Sequence, residues 1–190
     1  SEASTNECTA PFFGMDRNKM IGLAYWGAIS YWGESNGWPK KGWDYAYFDH
    51  ALNPYPQAYL IPSIFSDTPV VRIAVAGAGD DAIMWNDIVV GKKALTSQWN
   101  WTKGKKYNIT TYTNADEVEL QVNGKSYGIQ KNDTSDIHKR NVIVWKNIPY
   151  VPGKIVAIAL KDGKEVARHQ LETTGKAVAL KLEIENKNWK

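Results

Sequence analysis

The chain has 190 residues, 43% of them hydrophobic and 23% charged, an ordinary globular composition for one or two domains and not that of a disordered segment. Its 23 Lys and Arg against 20 Asp and Glu leave a net charge of +3, and the basic residues are spread out, which argues against a nucleic-acid partner. Cys8 is the single cysteine, so an intrachain disulfide and a zinc site on paired thiolates are excluded, and no apolar run is long enough for a membrane span.

Nine Trp and ten Tyr stand beside four Phe. Such rings join a flat apolar face to a polar tip, which suits a half-polar ligand such as a sugar and equally suits the core of a β-sandwich. Residues 1–65 hold Trp26, Trp32, Trp38 and Trp43 and few β-branched residues. Gly22 to Gly27 is short, apolar and bounded by glycines, as a buried strand or its exit loop would be. Gly33 to Gly42 reads as a loop. Tyr55, Tyr59, Leu60 and Ile64 approach helical spacing; Pro56 suits a first turn, while Pro62 should break the helix or end it early.

From Thr68 the period changes to two. Val71, Ile73 and Val75 alternate with Arg72 and Ala74, and strands are predicted again at 82–90, 107–112 and 117–122. Asn123-Gly124 follows the last of these as a strong hairpin signal. Strands at 142–145, 155–160 and 165–171, with a second turn at Asp162-Gly163, complete about seven. The fold class is therefore mainly β: an immunoglobulin-like β-sandwich over 66–174, preceded by a mixed loop and helix segment over 1–65. In 175–190, Val178, Leu180, Leu182 and Ile184 alternate with Ala179, Lys181, Glu183 and Glu185. That is a half-buried strand with no partner after it, so the chain is expected to be a piece of something longer.

Candidate chemistry is sparse. Glycoside hydrolysis usually needs two carboxyl groups across the scissile bond. Glu34 and Asp44 lie in the aromatic loop region, but loop carboxylates more often bond nearby backbone amides. Cys8 has no His or Asn in a recognisable relation to it, and His50, His138 and His169 are scattered, with no two at metal-ligand spacing. No metal or cofactor is expected. Gly77 to Asp81 is neither a P-loop nor a dinucleotide fingerprint and reads as a loop. A sugar platform would need two of Trp85, Trp99, Trp101 and Trp145 exposed and coplanar; core packing between sheets is the competing reading. Asn100, Asn108 and Asn132 each begin an Asn-X-Thr triplet, which matters only in a eukaryotic secretory pathway.

The run Gly22-Leu-Ala-Tyr-Trp-Gly-Ala-Ile-Ser-Tyr-Trp-Gly-Glu34 resembles a hallmark of glycoside hydrolase family 2, the β-galactosidase and β-glucuronidase family, in which such a stretch closes the eighth strand of a (β/α)8 barrel. Thr111 to Gly128 and Val151 to Gly175 resemble the immunoglobulin-like domain that follows the barrel. The resemblance implies that 1–65 is the end of the barrel, 66–174 the sandwich, and 175–190 the first strand of, or linker to, a further β-domain. It implies a retaining β-glycosidase with two glutamates, of which the acid/base is not in this chain and the nucleophile precedes the Gly22 motif. Glu2 is the candidate there. Trp26 falls on the tryptophan that lines the sugar pocket, Tyr31, Gly33 and Glu34 also match, and Ser30 replaces the usual Asp. Trp26, Trp38 and Glu34 are thus the candidate substrate contacts, Trp38 at the pocket rim. The expected partner is a β-galactoside-type carbohydrate, the expected neighbours are the barrel and flanking β-domains, and the expected compartment is the periplasm or cell surface. A chain with so little of the barrel is expected to be inactive alone.

Overall fold

The computed structural model describes residues 18–19, 27–31, 46–76, 82–85, 88–92 and 95–179. Among them, a 3-10 turn (Pro56–Tyr59) leads directly into helix α1 (Leu60–Phe65). Nine strands follow: β1 (Val71–Ala76), β2 (Ala82–Trp85), β3 (Ile88–Lys92), β4 (Lys106–Thr113), β5 (Glu117–Val122), β6 (Lys125–Lys131), β7 (Val142–Pro149), β8 (Lys154–Lys161) and β9 (Lys164–Glu172). Two antiparallel sheets, in the orders β1-β4-β7 and β6-β5-β8-β9, form the sandwich, and β2-β3 is a separate hairpin.

Alternation sorts each strand into a core face and an outer face. Val118, Leu120 and Val122 of β5 face Val71, Ile73 and Val75 of β1, Ile109 of β4 and Ile143 and Trp145 of β7 in one core. β8 is central in its sheet and is apolar on both faces. Ile155, Ala157 and Ala159 point inward, while Val156 and Ile158 lie outward, Ile158 in register between Glu119 and Arg168. The turns are the tight kind that matches strand twist: Asn123 and Gly124 have φ of 50° and 79°, Asp162 and Gly163 50° and 72°.

Three expectations are corrected. The predicted strand at 82–90 is two strands, with Trp85 paired to Ile88 across the two-residue Asn86-Asp87 connection, residues suited to turns. β6 follows the Asn-Gly turn although its own sequence carries little alternation; nearly all of it is exposed. Pro62 does not end the helix. The chain changes from 3-10 to α geometry at Leu60, so Pro62 sits in a first turn, where its missing N–H costs little. Residues 173–179 form no strand, and Val178 is 96% exposed. The rest of the expected terminal strand, like the Gly22–Trp26 run, lies outside the described residues.

The outer face of the three-stranded sheet is covered from before the sandwich. Leu60 of α1 is buried against Ala74 of β1 and Tyr112 of β4, with Tyr59, Ile64, Leu95 and Val142 around them. The outward edge of β1 is bonded at successive positions. The Arg72 guanidinium donates to Val71 O, Ile73 N–H to His169 Nδ1, and Val75 pairs with Thr96.

Candidate functional site

Glu2, Trp26, Trp38 and Glu34 lie outside the described residues, as do Asp44 and Cys8. Of the hallmark run, Ser30 is buried and its N–H donates to Phe48 O, while Ile29 and Phe48 form a parallel bridge.

Trp99 and Trp101 pack at one end of the sandwich, while the side chain of Trp85 lies outside the described residues. Trp99 is fully buried, its ring edge-on to Tyr150 at 5.0 Å, and its indole N–H donates to Val151 O. Trp101 is half-buried and leans on Tyr107 at 4.8 Å with the planes 39° apart. Thr173 locks this end. Its hydroxyl donates to Trp99 O at 2.7 Å, so the Tyr150 hydroxyl 3.0 Å away is the donor to it, and Gly153 N–H adds a further bond. Among the described residues, Trp99 and Trp101 do not make an exposed coplanar pair, and Trp145 is buried as well. Core packing is the reading that holds for them.

The asparagines singled out as triplets are engaged in the fold. Asn100 accepts from Thr174 N–H and Asn108 from Asn147 N–H. Asn132 belongs to a partly buried relay at the opposite end. Its Oδ1 accepts Asn141 N–H, its Nδ2 donates to Ala115 O and Asn141 Oδ1, and Asn141 Nδ2 donates to Ser63 O at 2.6 Å. Asn114 works beside it: Oδ1 accepts Val70 N–H, and Nδ2 donates to Ser66 O and Thr68 O. Arg72 places its guanidinium 5.1 Å from the Tyr59 ring. Together these bonds fasten α1 and its exit segment to the sandwich. The sequence reading missed this junction. Its one visible trace is a set of asparagines next to strand ends, a signal shared with ordinary turns.

Four of the described carboxylates act as local staples. The Asn53 side chain and backbone hold the Asp49 carboxyl below its ordinary range, the Ser135 hydroxyl does so for Asp133, Lys139 for Asp136 and Arg168 for Glu165. None of these shifts is caused by a second carboxylate, the arrangement that glycoside hydrolysis uses. An open depression brings Asp116, Glu117 and Asp162 near Lys131. Among the described residues, no three His, Cys, Asp or Glu side chains are grouped to hold a metal ion.

In outline, the fold and this junction define a β-sandwich module fastened to a helical lead-in. Residues 104–167 match a family described as Domain of unknown function (DUF4982). The chain is 31% identical over 170 residues to the Beta-galactosidase BoGH2A of Bacteroides ovatus, covering 88% of this chain and 17% of that protein. A glycosyl hydrolase family 2 structure from Bacteroides cellulosilyticus aligns with a TM-score of 0.67 at 29% identity, over 80% of this chain and 21% of that one. A β-glucuronidase structure of the same family shares the fold, with a TM-score of 0.61 at 21% identity, over 94% of this chain and 16% of that one. The chain belongs to glycoside hydrolase family 2, as a section of the C-terminal part of such a protein. It spans about a fifth or less of the relatives it matches.

Proposed function

We propose that this chain is the non-catalytic C-terminal part of a retaining β-glycosidase, β-galactosidase-like in substrate, in which the sandwich braces the catalytic barrel. The junction carries this reading: the segment before the sandwich is fixed to it by Leu60 in an apolar seat and by the Asn141 and Asn114 bonds. A spacer with no mechanical task would need no such fastening. The parallel bridge of Ile29 with Phe48 supports 1–65 as a barrel end, since barrel strands run parallel. The strand order supports an immunoglobulin-like label for 66–174. That 175–190 leads to a further β-domain rests on the family resemblance. On this reading Glu2 is the nucleophile candidate, Trp26, Trp38 and Glu34 meet the sugar, and the parent acts on carbohydrate in the periplasm or at the cell surface.

The chain alone should not hydrolyse chromogenic β-galactosides or β-glucuronides. Turnover that survives Glu2→Gln and Glu34→Gln would overturn the proposal. In the parent enzyme, Asn141→Ala should lower the temperature of thermal inactivation and leave KM unchanged; an unchanged temperature would remove the bracing role. The rival reading, a carbohydrate-binding module, loses its Trp99 platform to burial. Affinity electrophoresis through gels of galactan, xylan or a glucuronic-acid polysaccharide tests what remains of it. Retardation abolished by Trp101→Ala would favour the module, and free migration the brace.

A further inference from the structure

β1 lies at the open side of the sandwich, where small side chains on the facing sheet permit close approach. Ala157 and Ala159 of β8 and Ala167 of β9 all point inward there. β1 and β9 belong to different sheets and share no ladder. A side chain joins them instead: Ile73 N–H donates to His169 Nδ1 at 3.2 Å. A nitrogen that accepts this bond carries no proton, so the proton of the neutral ring is on Nε2.

Among the described residues, the groups around His169 offer nothing to welcome a second proton. β1 brings Arg72, whose guanidinium lies by Tyr59 of the 3-10 turn. β8 brings only Ala157, the register partner of His169. Along β9, Arg168 and Gln170 point to the other face, and Arg168 is paired with Glu165 at 2.8 Å.

We propose that His169 is a proton-sensitive latch between the two sheets: neutral, it holds the Ile73 amide and closes the seam; protonated, it releases that amide and loosens the outward edge of β1 from β9, while the β1–β4 ladder stays in place. Protonation consumes the Nδ1 lone pair that accepts the bond and sets a cation near Arg72. Burial first, and then Arg72, lower the pKa from 6.5 to about 4. The sign follows from linkage. The unfolded chain binds the proton more readily, so the latch contributes fully above about pH 6.5 and is lost as pH falls towards about 4.

The test uses the whole chain. Long-range proton–nitrogen correlation spectra should show His169 as the Nε2–H tautomer with a titration midpoint below about pH 5.5. Between about pH 7 and pH 4.5, the exchange protection of the Ile73 amide should fall about tenfold or more relative to Leu120 at the centre of β5. In His169→Gln that relative loss should disappear. An Nδ1–H tautomer, a midpoint at or above about pH 6.5, or Ile73 protection that keeps pace with Leu120 would each overturn the latch.

Discussion

The Asn141 side chain, just before β7, donates to Ser63 O in α1 at 2.6 Å across 78 positions of sequence. Asn141 is 6% exposed and has a φ of 65°, a left-handed conformation that asparagine tolerates better than most residues. Asn141→Ala would leave the Ser63 carbonyl and Asn132 short of a partner and add backbone strain. The expected loss in urea unfolding is about 2–4 kcal/mol. A change below about 0.5 kcal/mol would mean that the junction holds without this bond.

Leu60 is the apolar half of the same junction, fully buried on Ala74 and Tyr112. Leu60→Ala should cost about 2–5 kcal/mol, the usual range for a core cavity. The matching control is Leu52→Ala at an exposed position, where unfolding should hardly move. Equal effects at the two sites would contradict the packing of α1.

Gly153 has a φ of 130°, and a Cβ there would stand 2.0 Å from Asn123 Oδ1. That oxygen is already committed, because it accepts Lys154 N–H at 2.7 Å. Gly153→Ala must therefore both strain the backbone and displace the Asn123 side chain, for an expected loss of about 2–4 kcal/mol. Asn123→Ala removes the clash, so the double variant should lose less than the sum of the singles. Strict additivity would show that the two residues do not meet.

Burial raises the Tyr112 phenol above the ordinary tyrosine range. A raised pKa means that the folded state keeps the proton longer, so its contribution is complete below about pH 10 and is lost as pH climbs beyond it. Alkaline titration followed by ultraviolet absorbance should show one phenol ionising last, coupled to unfolding, and absent in Tyr112→Phe. If all ten tyrosines titrate together in the folded chain, the outer face of β4 is not sealed.

What was legible followed local rules. β5 shows strict alternation, and its turn is Asn-Gly, so register and hairpin are both written within a few residues. β6 was hard to see because a strand exposed along both faces carries no period, and 82–90 read as one strand because Asn86-Asp87 is a brief interruption. The junction was invisible for a different reason. Asn114 and Asn141 act on backbone groups many residues away, and nothing in the local sequence of an asparagine names its acceptor. Glu2, Trp26, Trp38 and Glu34 rest on the family resemblance.

The outward edge of β1 has a further consequence. An unpaired strand edge is a template on which another chain can add itself, the first step of strand exchange and of fibril growth. Here an arginine on one carbonyl, an imidazole on the next available amide and a threonine bridge on the last occupy that template in turn. A stray strand would have to displace one of these contacts at each position it pairs with, so β1 can stand at the margin of its sheet without recruiting neighbours.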